Sequence, residues 1–331
     1  MVDLAATLPS TARELHAFYD RTAGDWRRDH LGSSVLGDPC DRALWYGWRW
    51  AHKPRLGSSE DAKNVRTPGQ MLRLFARGHR EEAWLADDLR AIGLQLSTAD
   101  PQTGQQWRAV WHGGHAGGGA DGVILSGLVE STQPHLWECK TSNVEQFEKL
   151  LTGGVQKAKP RHYVQMQVMM RALKLERAFY VCVCKDDDRI YTERVALDAA
   201  FADQQIERAG RVVFANDPPP RIAESRDTYP CRFCDHRDLC HATAAEPVVP
   251  ERNCRTCNES TPMPDGTWRC SLRDMALPSG MQRAGCELHL YRPDLLHWLT
   301  VADADEAQRT VTYAQNDGKR ITNRAKEALT L

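Results

Sequence analysis

The sequence predicts an α/β fold: a mixed sheet with helices packed on it, followed by a small cysteine-rich module. Three observations predict it. Apolar residues recur at helical spacing in some stretches and alternate in others, in the order helix, three or four strands, helix, one or two strands, helix. Hydrophobic residues make up 41% and charged residues 26% of 331, an ordinary globular balance with room for about two domains. Seven of the eleven cysteines lie between Cys231 and Cys286, which divides the chain more clearly than any linker.

Each element has its own reason. Residues 1–66 read as mostly helical and contain the run Cys40-Asp-Arg-Ala-Leu-Trp-Tyr-Gly-Trp-Arg-Trp50. Met71, Leu74, Phe75, Leu85, Leu89 and Ile92 fall at helical spacings, which predicts an amphipathic helix over Pro68–Ile92 with Gly93 as its stop. Short strands follow at Leu94–Thr98, Gln106–His112, Asp121–Leu128 and His135–Thr141. Pro101–Gly104, Gly113–Gly119 and Pro134 separate them. His162–Leu173 reads as a helix. Ala178–Lys185 and Ile190–Leu197 read as strands joined across three aspartates, and Asp198 caps a helix running to Phe214. Pro218-Pro219-Pro220 closes this block, and Glu246–Pro250 links it to a second cysteine set. The chain divides into 1–66, 67–245, 246–293 and a small tail over 294–331 with no assigned role.

Composition removes several function classes. Forty-three basic residues face 44 acidic ones, a net charge of −1. That excludes a globally basic nucleic-acid binder and leaves room for a local basic groove. The longest plain apolar run, Phe179–Cys184, is far short of the ~20 residues that span a bilayer. The N-terminus lacks a basic start followed by an apolar stretch, so no secretory signal is expected and the cytoplasm is the expected compartment. There, thiols serve metals rather than disulfides. No G-x-x-x-x-G-K-S/T loop is present, so no ATPase motor is expected.

Leu136-Trp-Glu138-Cys-Lys140-Thr is the most informative string. On a strand, Glu138 and Lys140 share one face, and Trp137 and Cys139 the other. One strand earlier, Asp121 opens an apolar run. Two carboxylates at the edge of adjacent strands can share a hard cation such as Mg²⁺ or Mn²⁺. A lysine beside them can orient a metal-bound water or offset charge on a phosphate. The bland alternative is a solvated cross-strand pair beside a turn aspartate. Gly78-His-Arg-Glu81-Glu82 lies in the preceding helix, and Tyr163-Val-Gln165 opens the following one.

Taken together these motifs resemble the PD-(D/E)xK nuclease superfamily, and more narrowly the RecB-type nucleases and the CRISPR-associated iron–sulfur exonucleases. The resemblance implies a PD-(D/E)xK core and one metal site lined by Glu82, Asp121, Glu138, Lys140 and Gln165. Glu81 competes with Glu82, and Met169 stands where the family's glutamine motif ends in tyrosine. It implies a metal-dependent DNA nuclease, an exonuclease preferring single strands or ends, acting in recombination, repair or degradation. The alternative is an inactive DNA- or protein-binding module on the same scaffold. A nuclease core followed by a cysteine-rich tail is similar to phage-encoded members.

The first cysteine set, Cys231, Cys234 and Cys240, is C-x₂-C-x₅-C and calls for a fourth ligand. Cys40 or His236 would complete a zinc site. The family resemblance implies instead a 4Fe–4S cluster on Cys40, Cys231, Cys234 and Cys240, clipping together the two ends of the nuclease core across a loop of about 190 residues. The second set, Cys254, Cys257, Cys270 and Cys286, surrounds a hairpin-like turn and reads as a zinc ribbon, with His289 as a competing ligand. This module could contact DNA or a protein partner. Cys139, Cys182 and Cys184 read as core.

Lys149, Lys157, Lys159, Arg161 and His162, with Gly153 and Gly154, read either as a mobile basic loop that meets phosphate or as a solvated charge run. Arg42, Arg49, Lys53 and Arg55 lie among Trp45, Tyr46, Trp48 and Trp50. Such a mixture can track a single strand; a tryptophan-rich helix can equally be core.

Overall fold

Alternation along one strand sets the layers. In His135–Ser142, Leu136 packs with Val123, Tyr180 and Cys182, while Trp137 and Cys139 pack with Ile124, Val181 and Val183. Both faces are apolar, so helices must cover both. A computed structural model describes residues 11–53, 68–129, 131–315, 318–325 and 329.

In chain order the elements that position the site are α1 (Thr11–Thr22), β1 (Leu31–Gly32), α2 (Asp41–Trp48), α3 (Pro68–Ala91), β2 (Gln95–Ser97), β3 (Arg108–Trp111), β4 (Ala116–Gly119), β5 (Gly122–Ser126), β6 (His135–Ser142), α4 (Val144–Ala158), α5 (Pro160–Leu173), β7 (Arg177–Cys184), β8 (Ile190–Ala196) and α6 (Ala199–Phe214). The central sheet runs β2-β5-β6-β7-β8. Only β6 and β7 are parallel. A parallel pair needs a crossover, which α4 and α5 supply. Leu85 and Leu89 of α3 cover one face. Phe147 and Leu150 of α4, Met166 and Val168 of α5, and Val212 of α6 cover the other.

The expected strands and helices are present with ends moved by a residue or two. Asp198 caps α6 as expected, accepting from Phe201 N at 3.0 Å. Two expectations fail. The glycine run Gly113–Gly119 is not merely a separator: its second half is β4, which pairs with β1 and β3. Glycine is needed there because a Cβ on Gly117 would sit 2.5 Å from Ala109 O. The basic segment before α5 is not a loop either. Asn143 caps α4 by accepting from Gln146 N at 3.1 Å, and Lys149 and Lys157 ride on that helix. A kink at Gly154 (φ 67°, ψ 172°) turns the chain so that Val155 N can donate to Glu193 at 2.7 Å.

The aromatic run is core. Trp45, Trp48 and Trp50 are at most 2% exposed. The Arg255 guanidinium lies over the rings of Trp50 (3.7 Å), Trp48 (4.2 Å) and Trp268 (4.9 Å). It donates to Trp48 O, Asp29 O and Gln282. Arg49 lies over Trp45 and donates to Arg255 O at 3.1 Å. Arg42 donates to Pro219 O, Lys53 is exposed, and Arg55 lies outside the described residues. Trp268, Cys254 and Cys270 thus share the main core with α2.

The C-terminal third adds α7 (Arg237–Cys240), β9 (Ser260–Pro262), β10 (Trp268–Cys270), β11 (Met275–Ala276), α8 (Ser279–Ala284), β12 (Thr300–Asp305), β13 (Thr310–Ala314) and β14 (Arg320–Arg324). Strands β9 to β11 form an antiparallel sheet around the second cysteine set. Strands β12 to β14 form another, whose core holds Leu296, Tyr313 and Ile321. The expected tail is therefore a folded meander. Among the described residues, no helix is long and apolar enough to cross a membrane.

Candidate active site

Strand parity brings the acids and the lysine together. Glu138 and Lys140 emerge from one face of β6, and Asp121 lies just before β5, the neighbouring strand. Asp121 is locked by the backbone: it accepts from Cys139 N at 2.8 Å. The Lys140 ammonium lies 3.7 Å from Asp121, contacts Glu138, and donates to Cys139 O at 3.1 Å. Glu138 is fully buried, and beyond the Lys140 contact neither of its oxygens has a hydrogen-bond partner among the described residues.

Three acids face one lysine here. Burial, then Asp121, push the Glu82 carboxyl up to about 7, with Lys140 opposing. Burial pushes Glu138 to about 8, with Lys140 opposing and Asp121 and Glu82 adding. Glu82 on α3 thus lies within electrostatic reach of the other three. Burial alone would lower the Lys140 pKa, but Glu138 and Asp121 outweigh it and raise it, so the ammonium stays charged. A divalent cation fits this donor set: hard oxygens, an excess of negative charge, and a buried oxygen lacking a partner. The residues that would hold it are Asp121 and Glu138, with Glu82 close by.

Gln165 is buried on α5, the helix packed against β6, and makes no hydrogen bond among the described residues. Its neighbour Gln167 is structural, bonding Ala196 O and Asp198 N. Met169 is fully buried in the core. The sequence reading missed Tyr180, which lies opposite Glu138 in the β6–β7 register. Its hydroxyl meets His162 Nδ1 at 2.9 Å. Burial first, then Lys140, hold His162 near 3, hence neutral. His162 is thus a site neighbour rather than a basic-loop residue. The parity of β7 was the available signal.

The other basic residues are mostly engaged. Lys149 pairs with Glu145 at 2.7 Å, Lys159 donates to Gln146 at 2.7 Å, and Arg161 pairs with Asp38. Asp38 also accepts from Cys40 N at 2.9 Å, so α5 begins beside the first cysteine set.

Cys40, Cys231, Cys234 and Cys240 line one cavity of about 270 Å³, together with Tyr46 and His236. The Tyr46 hydroxyl and His236 Nδ1 are buried without a hydrogen-bond partner among the described residues. Arg208 steadies the loop before Cys40 by donating to Leu36 O, Asp38 O and Asp41. Cys254, Cys257, Cys270 and Cys286 line a second cavity of about 30 Å³ with His289. Burial, then the three neighbouring thiols, raise Cys254 to about 12. His289 Nε2 is already engaged by Thr256 at 3.1 Å. Among the described residues, no three His, Cys, Asp or Glu side chains converge closely enough to hold an ion as they stand.

No protein-family model matches the chain, and no curated protein matches it. Among solved structures it is similar to the crystal structure of SSO0001, at 16% identity and a TM-score of 0.39, covering 71% of this chain and 95% of that one. It is also similar to an alkaline exonuclease from Laribacter hongkongensis, at 17% identity and a TM-score of 0.35, covering 60% and 90%. The same exonuclease in complex with dAMP gives 18% and 0.32, with the same coverage. At these scores likeness carries no functional weight, and the chemistry has to be read from the side chains.

Proposed function

We propose that the protein is a metal-dependent nuclease that hydrolyses phosphodiester bonds in DNA at the Asp121, Glu138 and Lys140 site. The observation that carries this reading is the fully buried Glu138, whose near neighbours are two more acids and a single ammonium. A Mg²⁺ or Mn²⁺ ion held there would polarise the scissile phosphate and acidify a water. Asp121 and Glu138 hold fixed oxygens for it. Lys140, kept charged, offsets negative charge developing on the phosphate. Exonuclease action on single strands or ends belongs to the same proposal, with Gln165 positioned behind β6. Of the four lysines and arginines beside α4, Lys157 has neither an ion-pair nor a hydrogen-bond partner among the described residues, whereas Lys149, Lys159 and Arg161 are engaged, and Lys157 is the proposed phosphate contact.

The two cysteine sets are proposed metal centres. Support for a 4Fe–4S cluster on the first set comes from its cavity. Two buried polar groups without partners, Tyr46 Oη and His236 Nδ1, accompany four thiols, and donors of this kind suit cluster sulfurs. Support for zinc on the second comes from four thiols lining one small cavity, with Cys286 rather than His289 as fourth ligand because His289 is engaged by Thr256.

The test is cleavage of end-labelled single- and double-stranded DNA with Mg²⁺ or Mn²⁺, using protein purified without oxygen. Iron, sulfide and zinc are counted on the same sample. Lys140→Ala should lose roughly 100-fold or more, as expected for removing a preorganised charge from a transition state. A wild type with full metal content and no cleavage would sink the nuclease reading in favour of a binding module.

A further inference from the structure

The outward face of α3 carries charge that the candidate active site does not use. Arg73, Arg77 and Arg80 follow at spacings of four and three, and Trp84 continues the row four residues later. All four therefore share one side of the helix. Leu85 and Leu89 face the opposite way, into the core. Against α1, His16, Gln70, Leu74 and the three arginines line an open groove of about 560 Å³.

The charges in this groove are not spent on acids. Neither Arg73 nor Arg80 pairs with a carboxylate among the described residues. Among the described residues Arg77 donates only to the Lys185 carbonyl, at 3.0 Å. Some other surface arginines are neutralised, Arg90 by Asp87, Arg171 by Asp203, and Arg189 by Glu148 and Asp187, whereas Arg108, Arg177 and Arg211 resemble the α3 row in having no carboxylate partner among the described residues. Trp84 is 67% exposed, so its ring face is open to a stacking partner.

We infer that this groove holds a single strand of nucleic acid outside the catalytic site, with the arginines on phosphates and Trp84 stacked on a base. The proposal rests on the nuclease reading for its biological sense. The row spans about 16 Å of helix from Arg73 to Trp84, and exposed stacking suits an unpaired base. Glu82 lies on the same helix but on its inward side, three and seven residues before the core-facing Leu85 and Leu89, so a strand leaving the site passes round α3 to reach the row. Its job is to keep the strand attached between successive cuts.

The experiment measures anisotropy of a fluorescent single-stranded 20-mer across a salt series, in the Lys140→Ala background so that the strand survives. Arg73→Ala/Arg80→Ala should weaken binding roughly tenfold at low salt. It should also flatten the slope of log K against log salt by about 1.4, two phosphate contacts at ~0.7 each. Trp84→Ala should weaken binding roughly tenfold and leave the slope unchanged. With Lys140 restored, Arg73→Ala/Arg80→Ala should cleave bis(p-nitrophenyl) phosphate, which has no strand to hold, at the wild-type rate. Unchanged affinity and slope would overturn the proposal. Equal losses on blunt duplex, with Trp84→Ala silent, would overturn the single-strand assignment. A wild type that cuts neither DNA nor the small ester would defeat the nuclease reading alone, because the anisotropy decides the groove independently.

Discussion

Glu138 shows what can be read from residues and what needs the fold. The string Glu138-Cys-Lys140 announces its own geometry, because strand parity is a property of the local chain. That Asp121 would be locked by Cys139 N is not local, and neither is the Tyr180–His162 pair opposite Glu138. The raised carboxyls carry a testable sign. Glu82 and Glu138 hold protons to about 7 and 8, which the unfolded chain releases near 4.5. Between those values the metal-free folded state binds more protons, so these groups withdraw stability as pH rises through that window. Metal binding must displace the same protons. Mg²⁺ at about 100 times its Kd should add about 2.7 kcal/mol, and the Mg²⁺ concentration needed should fall from pH 6 to pH 8. Thermal midpoints with and without Mg²⁺ check this. Glu138→Gln should shrink the gain, and a gain indifferent to pH would count against the site.

At the scale of elements, periodicity carried most of the information. Helix α3 and the strands β5 to β8 were legible because their apolar faces repeat at helical spacing or alternate. What escaped was glycine used for close packing and a helix that carries Lys149 and Lys157 and is interrupted by paired glycines. Gly117 and Gly118 look like a break in sequence, yet they let β4 pass close to its neighbours. Helix α4 hid behind Gly153 and Gly154, because glycine ordinarily interrupts a helix. Gly154 does kink it, with a positive φ that places Val155 N on Glu193. A Cβ on Gly154 meets Glu193 at no closer than 3.5 Å, so space is not the obstacle; the backbone conformation is. Gly154→Ala should cost roughly 1–3 kcal/mol, read as a lower urea midpoint. Equal stability would mean that the kink relaxes freely.

The whole molecule is joined where the sequence suggested separation. The proline-containing segment Glu246–Pro250 reads as a linker, yet just beyond it Asn253 donates to Trp50 O and Arg255 enters the tryptophan stack. Long-range pairing of this kind has no local signature, since each partner alone looks like an ordinary surface arginine or tryptophan. Arg255 is 1% exposed and makes three hydrogen bonds to distant parts of the chain. Arg255→Ala should therefore destabilise by roughly 2–4 kcal/mol. It should also open the segment around residues 246–293 to limited proteolysis before the central sheet unfolds. Proteolysis that spares this segment would show that the stack is not what docks it.

The tryptophan stack also imposes an order on the birth of the protein. Helix α2 leaves the ribosome about 220 residues ahead of Trp268, which at 5–20 residues per second is a wait on the order of 10–40 s. Throughout that interval Trp48 and Trp50 have no Arg255 or Trp268 to close over them. The nascent chain thus carries an uncovered aromatic surface for most of its synthesis. Its yield in cells should depend more on factors that shield emerging hydrophobic segments than on the stability of the finished fold.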